Sequence, residues 1–235
     1  MQTLLRLKYL TQAGLALFRL IKNPNDLDKV IRIADKIAKA EDLERTAEIL
    51  SRQSEHAAHS LKTFPRIELN ALYQSKSELP SGSLGLAFID FLNERGLDPA
   101  DLPNLPVTSR ADFVKAHLFE THDLWHVLTG FETDPAGELG LQAFYHAQIP
   151  APLSPILLGA GFLNTSFFAA HEKDQRMQEI IRGWQLGKAA APLFGVDWKK
   201  YWHRPLTEVQ SQFGLNQISA ITHTVSKPLL VLTAD

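Results

Sequence analysis

An apolar segment without a charged side chain, residues 153–170, constrains the fold of this chain more than any other feature. It reads LSPILLGAGFLNTSFFAA, and as a helix it would be apolar on every side. Such a helix has to be covered all round, by protein or by lipid. Pro155 near its start and His171-Glu172 after its end leave it too short to span a bilayer comfortably. We therefore expect other helices of the chain to pack against it.

The rest of the chain also shows helical periodicity. Apolar residues recur at helical spacing nearly throughout, and no run shows sustained period-two alternation with hairpin turns. Prolines and polar residues predict loops at 62–80 and 97–107. No domain boundary or internal repeat is evident. The sequence predicts an all-α fold, a single multi-helix domain over residues 1–235. Helices are expected at 26–38 and 43–50, from Ser81 or Ser83 to Gly96, and from Thr108 or Ser109 onwards. The tail 227–235 is either a strand or a docked extension.

Composition excludes several classes of function. The 235 residues are 45% hydrophobic and 21% charged, which is ordinary for a soluble globular protein. A net charge of −2 gives no reason to expect nucleic acid as a partner. The chain has no cysteine, which excludes a disulfide framework, a thiolate zinc site and a cysteine nucleophile. This composition fits a reducing compartment.

The first 25 residues differ from the rest in charge. They carry Arg6, Lys8, Arg19 and Lys22 and no acidic residue. As a helix, residues 1–25 would be amphipathic, with a narrow polar stripe. Three interpretations stay open: a largely buried helix, an interfacial anchor on anionic lipid, or an organellar transit segment. We expect a cytoplasmic protein held peripherally at a membrane, with an organellar location as the alternative.

The motif His122-Asp123-Leu124-Trp125-His126, followed after eleven residues by Glu138, is the strongest functional signal. On a helix, positions i, i+1 and i+4 face roughly the same way. Gly130 and Thr133-Asp134-Pro135 predict the end of that helix and the start of the next, so the chain folds back and brings Glu138 towards the histidines. Two imidazoles and two carboxylates would make a divalent-metal site.

Histidines four residues apart also occur by chance and often make ordinary hydrogen bonds. The two acidic residues, set among apolar neighbours, favour a metal, because charged groups in such surroundings are costly unless they are paired or bound to metal. The predicted ligands are His122, Asp123, His126 and Glu138, with zinc favoured and magnesium as the other candidate. No residue is assigned a catalytic role, and the isolated histidines His146, His171, His203 and His223 are expected to be ordinary hydrogen-bonding residues.

At these residues the chain resembles a known family. The pattern His-Asp-x-x-His, eleven residues, then Glu is the signature of the coenzyme Q (ubiquinone) biosynthesis family called Coq-four, and it is matched here without exception. Glu120, Gly137 and Pro65-Arg66-Ile67 also look like the family's, and the resemblance covers roughly residues 60–215. Members usually carry an Arg-Tyr-Arg run before the motif, where this sequence has His117-Leu118-Phe119.

The resemblance implies a ligand with a polyisoprenoid tail. Glycines at 159, 161, 183 and 187 remove side chains from two helices, which permits either close helix packing or a channel between them. With the resemblance, we expect a channel for the tail of an isoprenoid lipid or quinone precursor, with the polar head at the metal. The predicted lipid-binding residues are Leu157, Gly159, Gly161, Phe162, Gly183 and Gly187.

Three functions compete. The first is a metal-dependent, prenyl-lipid-binding protein of quinone biosynthesis; here the resemblance implies removal of a carboxylate from the head-group precursor with oxygenation of the same carbon. The second is a non-catalytic scaffold that presents the lipid to other quinone-biosynthesis enzymes at a membrane surface, alone or as a homodimer. The third is an HD-type phosphohydrolase, which would need a further upstream histidine (His56, His59 or His117) and a distant aspartate as ligands.

Overall fold

A computed structural model describes residues 39–98 and 105–216 of the chain, and the architecture of these parts is helical. The α-helices, in chain order, are α1 Ala40–Gln53, α2 Glu55–Thr63, α3 Leu69–Gln74, α4 Leu84–Glu94, α5 Arg110–Thr129, α6 Pro135–Gln148, α7 Leu153–Phe168, α8 Lys173–Ala189 and α9 Leu206–Gln212. Short 3-10 helices lie at Lys76–Glu78, Ala170–Glu172 and Trp198–Tyr201. No β-strand forms within the described ranges, so the all-α prediction is confirmed there.

The core surrounds α5, which is buried on most of its circumference. Phe113, Leu124 and Trp125 from α5 are fully buried, and α5 packs against α1, α2, α4, α6 and α9. Side chains from most of the other elements join the same cluster, among them Leu50, Phe88, Phe144, Phe194 and Trp198. One continuous apolar core therefore carries the central helix on which the motif lies.

The local signals for helix ends are confirmed. Ser83 caps α4 through a hydrogen bond from the Leu86 amide, and Ser109 caps α5 through one from the Asp112 amide. Gly96 follows the end of α4 with φ of +65°, a left-handed conformation that glycine adopts without strain. These side chains and the glycine act within one turn of the chain, which is why the sequence predicts them correctly.

The loop predicted at 62–80 is wrong in part. Leu69–Gln74 forms a helical turn and a half, and Lys76–Glu78 forms a 3-10 helix. The cause is a tertiary contact. Leu72 is buried in the core, and this packing stabilises a helix that would be too short to form by itself. The apolar segment forms a helix from Leu153 to Phe168.

Helices α6 and α8 make the most extensive pairing of the fold, and α7 packs against α6. The motif hairpin therefore packs against the apolar helix, as expected. After α7 the chain bends by 115° into the segment Ala170–Ala189. Within the described residues no single helix has the length and hydropathy to cross a membrane, although this bent pair together passes the same test on length and composition.

Several expectations concern residues outside the described ranges. These are the amphipathic helix at 1–25, the helix at 26–38, the middle of the proline-containing loop at 97–107, His223, and the tail at 227–235.

Candidate metal centre

The break between α5 and α6 brings the motif residues together. His122 and His126 lie one turn apart near the C-terminal end of α5, and the helix ends at Gly130, whose φ is +67° and whose amide donates to the His126 carbonyl. Asp134 then accepts a hydrogen bond from the Gly137 amide at 2.7 Å, with Pro135 in the first turn of α6. The chain reverses within five residues, so Glu138 in the first turn of α6 faces the two imidazoles.

The three side chains converge on one point. One ligand atom each from His122, His126 and Glu138 lies within 4.8 Å of the others, the spacing that a shared metal ion requires. Nε2 of His126 is 3.2 Å from Oε1 of Glu138, and Nε2 of His122 is 3.7 Å from Oε2. The His126 side chain is fully buried, whereas 37% of the Glu138 side chain is exposed. The centre is thus closed on the His126 side and open to solvent beside Glu138.

The tautomer of His126 follows from its backbone contact. Nδ1 lies 2.9 Å from the carbonyl oxygen of Phe131. Since a carbonyl only accepts, Nδ1 carries the proton, and in the neutral ring Nε2 holds a lone pair. This buried Nε2 makes no hydrogen bond in the described structure, yet it faces a carboxylate oxygen. A lone pair on Nε2 and a carboxylate oxygen repel each other at this distance unless a cation lies between them. That cation is either a proton on Nε2 or a metal ion.

Glu138 is held ionised. Burial by itself raises the pKa of a carboxyl, but the close approach of the His122 and His126 rings outweighs burial and holds the pKa of Glu138 at about 2. For His122, burial works towards a lower pKa. The hydrogen bond to Glu138 and the charges of Glu138 and Asp123 outweigh it, so the pKa of His122 is raised. The carboxylate is therefore available as a ligand throughout the physiological range.

Asp123 lies outside the converging group. The structure brings together three of the four predicted ligands, and Asp123 is not among them. Its charge still acts nearby, because it raises the pKa values of both His122 and Tyr145. On the helix, Asp123 is rotated by about 100° from His122, which turns its carboxylate away from the point where the imidazoles and Glu138 meet.

Tyr145 and Trp125 are buried aromatic residues that pack beside the centre. The sequence pattern assigns neither of them to the site. The ring of Tyr145 is nearly parallel to those of His122 and Trp125, with centroid distances of 6.1 and 4.3 Å and interplanar angles of 18° and 15°. Burial raises the pKa of Tyr145 well above its usual value, as do the charges of Asp123 and Glu138. Tyr145 follows Glu138 by seven residues, which is a same-face spacing, but any core aromatic shows that signal.

Glu120 and Arg66, which belong to the blurred part of the family pattern, anchor the loop after α2. The guanidinium of Arg66 donates two hydrogen bonds to Oε1 of Glu120, the one from Nε at 2.6 Å. The other oxygen, Oε2, accepts from the amide of Ile67 at 3.3 Å. The pair is mostly buried, so it fixes the segment around Pro65 against α5 just before the motif.

The upstream histidines do not join the centre. Nε2 of His117 accepts a hydrogen bond from the Gly195 amide, and burial lowers the pKa of His117 to about 3, helped by the charges of Arg66 and His56. His56 bonds to the carbonyl of Pro192, and with His59 it lines a separate cavity of about 280 Å³. Among the described residues the metal-competent group contains none of them. The ligand set that an HD-type phosphohydrolase requires is therefore not assembled in this part of the chain.

The predicted lipid-binding residues fall into two groups. Leu157 and Gly161 are buried, and a Cβ at Gly161 would overlap the side chain of Leu139. At Gly183 a Cβ would overlap the carbonyl oxygen of Gly140, and at Gly187 it would lie 2.7 Å from the Cβ of Ala147. These three glycines provide close helix packing, so a channel is not confirmed at their positions.

Gly159 and Phe162 instead face outwards. No described atom lies within 4 Å of a Cβ built at Gly159, and Phe162 is 45% exposed. Phe162 is one of seven large exposed apolar side chains on α7 and α8, a set that we call the apolar face: Phe162, Leu163, Phe167, Phe168, Met177, Ile181 and Trp184. Large apolar side chains that stay exposed in this number are typical of a binding site for protein or lipid.

Comparisons with known proteins confirm the family resemblance. The profile of the family described as "Coenzyme Q (ubiquinone) biosynthesis protein Coq4" matches residues 3–219. The ubiquinone biosynthesis protein COQ4 homolog, mitochondrial, of Rattus norvegicus is 29% identical over 164 residues, 68% of this chain and 60% of the rat protein. The COQ4 protein of Eremothecium gossypii, also named mitochondrial, is 28% identical over 157 residues, 64% of this chain and 46% of that protein. The chain thus spans about half the length of the curated relatives it matches.

A solved structure supports the fold. The crystal structure of a candidate ubiquinone biosynthesis protein from Nostoc punctiforme superposes with a TM-score of 0.72 at 27% sequence identity. The match covers 87% of this chain and 97% of that one.

Proposed function

The chain belongs to the Coq4 family of coenzyme Q (ubiquinone) biosynthesis proteins, and we propose that it acts there as a metal-dependent protein that binds a prenylated quinone precursor. The observation that carries the proposal is the buried Nε2 of His126, which makes no hydrogen bond and points at the ionised carboxylate of Glu138. A divalent cation bound by His122, His126 and Glu138 would neutralise that arrangement.

The donor set fits zinc better than magnesium. Two imidazole nitrogens and one carboxylate are ligands that zinc accepts readily, whereas magnesium prefers oxygen alone. The hydrogen bond from Nδ1 of His126 to Phe131 is the outer contact that metal-binding histidines usually have, since it fixes the tautomer and aims the other nitrogen. Catalytic zinc sites commonly have three protein ligands and keep one position for water or substrate, and the three side chains here match that number.

At that position a bound metal would supply Lewis acidity towards a ring carboxylate or hydroxyl of the head group. The residues of the chain do the rest. His126 and the buried wall of Trp125 and Tyr145 exclude water from one side, and Glu138 leaves the other side open for the head group. We propose that the precursor carries the carboxylate whose removal and replacement by oxygen the family resemblance implies. We assign no side chain to the covalent step.

The test is the metal content of the protein purified without added metal, with variants at each candidate ligand. We expect about one zinc per chain in the wild type, and its loss in His126→Ala and Glu138→Gln. Asp123→Asn should retain the metal, because Asp123 lies outside the converging group. His146→Ala, an exposed histidine of α6, serves as the matched control. Equal metal content in the wild type, His126→Ala and His146→Ala would refute the site.

We further propose that the apolar face holds the prenyl tail and rests on a membrane surface. Its support is the set of exposed side chains on α7 and α8, together with the absence of Asp, Glu, Lys or Arg between Glu138 and Glu172. Each buried methylene contributes about 0.8 kcal/mol, so longer prenyl chains should bind more tightly. The names of the relatives agree with an organellar location for this chain and do not bear out the cytoplasmic one.

Sedimentation with lipid vesicles tests the surface. Phe167→Ser with Phe168→Ser should release the protein from vesicles, since these residues are 74% and 52% exposed. Ile49→Ser, an exposed apolar residue on α1, is the control and should leave binding unchanged. Equal sedimentation of both variants would place the lipid elsewhere. Turnover of a prenylated hydroxybenzoate by the metal-loaded protein then separates an enzyme from a scaffold, which would bind the compound and leave it unaltered.

A further inference from the structure

The two histidines of the centre are held in different ways. His126 is fixed by a hydrogen bond to the backbone, from Nδ1 to the carbonyl of Phe131, and its ring lies against Phe91 at 5.8 Å. His122 has no comparable backbone acceptor in the described structure; its polar contact is with Glu138. Since a metal ligand has to be oriented before the metal arrives, some other contact has to hold the ring of His122.

Aromatic packing supplies that contact. The edge of His122 meets the ring of His126 at 4.9 Å and 89°, while its face lies nearly parallel to Tyr145. Tyr145 is itself buried and stacks on Trp125. His122 and Trp125 are three residues apart on α5, so their side chains lie one above the other. The Tyr145 ring comes from α6 and lies nearly parallel to both rings, and this contact restricts the rotation of His122.

We propose that the ring of Tyr145 is a positioning residue, which aims Nε2 of His122 at the point that His126 and Glu138 share. This inference rests on the proposed metal site and adds a residue to it. Tyr145 does for His122 by packing what the Phe131 carbonyl does for His126 by hydrogen bonding. The contact of His126 with Phe131 is local to the break after α5, whereas the contact of His122 with Tyr145 forms only when α6 docks on α5.

The hydroxyl of Tyr145 is not needed for this role. It is buried and makes no hydrogen bond of good geometry among the described residues, although the Thr121 hydroxyl lies close enough to lower its pKa against the larger effect of burial. The nearby hydroxyl of Thr121 donates its own proton to the carbonyl of His117 at 2.7 Å. A buried hydroxyl without a partner costs stability, so what the structure shows Tyr145 contributing is its ring. The proposal therefore separates two variants: Tyr145→Phe keeps the ring, and Tyr145→Leu removes it.

The experiment measures zinc affinity by competition with a chromophoric chelator, and thermal unfolding alongside it. Tyr145→Leu should bind zinc roughly 10- to 100-fold more weakly, the usual loss when the outer support of a metal ligand is removed. Tyr145→Phe should bind zinc like the wild type and unfold at the same temperature or higher. Phe213→Leu is the control: it removes a buried ring that packs on Trp198 and Tyr201 and not on the rings of the centre, so it should lower the unfolding temperature and leave zinc affinity unchanged. If Tyr145→Leu does not fold, Tyr145→Met replaces it.

Wild-type zinc affinity in Tyr145→Leu would overturn the proposal. So would an equal loss in Tyr145→Phe, which would assign the role to the hydroxyl. A second measurement does not depend on metal: the ring-proton resonances of His122 in the metal-free protein should carry ring-current shifts from Tyr145 that persist in Tyr145→Phe and vanish in Tyr145→Leu. A wild type that shows these shifts but binds no zinc would refute the metal site and keep the positioning contact. A wild type without them would refute the contact itself.

Discussion

Gly183→Ala tests the closest helix contact in the fold. Gly183 on α8 lies against the backbone of α6, where a Cβ would overlap the carbonyl oxygen of Gly140 and lie 2.8 Å from its carbonyl carbon. Non-bonded carbon atoms attract at about 3.5–4.0 Å, so the two helices would have to separate by roughly 1 Å. Both contacts are with backbone, which cannot rotate away. The substitution therefore loosens the α6–α8 pairing that holds Glu138 and Tyr145 in place.

The magnitude follows from two opposing effects. Alanine favours a helix interior over glycine by about 0.8–1.0 kcal/mol, whereas overpacking a well-packed site costs about 1–3 kcal/mol and occasionally more. Because the overlap is with rigid backbone, we expect the upper end, and so a net loss of about 2 kcal/mol in the free energy of unfolding. Gly159→Ala is the matched control, since no described atom lies within 4 Å of its Cβ. It should gain up to about 1 kcal/mol.

Urea unfolding followed by circular dichroism measures both variants, and the midpoints should move in opposite directions with unchanged slopes. Two results would refute the reasoning. A Gly183→Ala protein as stable as the wild type would show that α6 and α8 are not in backbone contact, and would restore a channel between them. A Gly159→Ala protein destabilised as much as Gly183→Ala would show that Gly159 is also packed, so that the outward-facing lipid surface is misplaced.

Further predictions concern the centre and its surroundings. In the metal-free protein, the raised pKa of His122 means that its charged form stabilises the fold fully below pH 6.5, and this contribution should be lost as the pH rises through the raised pKa. The urea midpoint should therefore be higher at pH 5.5 than at pH 8.5. Glu138→Gln should remove this difference. The depressed pKa of Glu138 stabilises the fold above about pH 4.5, and this contribution should be lost as the pH falls towards 2. In an acid titration followed by circular dichroism, Glu138→Gln should therefore lose helical signal less steeply than the wild type. His117→Ala should lower the free energy of unfolding by about 1–3 kcal/mol, because the buried Gly195 amide loses its acceptor, yet leave zinc content unchanged; loss of zinc would revive the phosphohydrolase ligand set.

The sequence by itself determined the features that depend on a few neighbouring residues. Ser109, Gly130 and Asp134 end or begin helices through contacts within one turn, so the bounds of the hairpin could be predicted. The spacing of His122 and His126 places both on one face of any helix that contains them. With Glu138 just after the break, the sequence predicts the convergence of these three candidate ligands.

Only the tertiary structure decided the rest, because it depends on which surfaces meet. A glycine in a sequence does not reveal whether a carbonyl or open space lies beside it, and Gly183 and Gly159 differ in that respect alone. The same holds for the exclusion of Asp123 from the converging group and for the place of Tyr145 against His122. These features depend on the rotation of neighbouring helices and the distance between them, which long-range packing sets and local sequence does not encode.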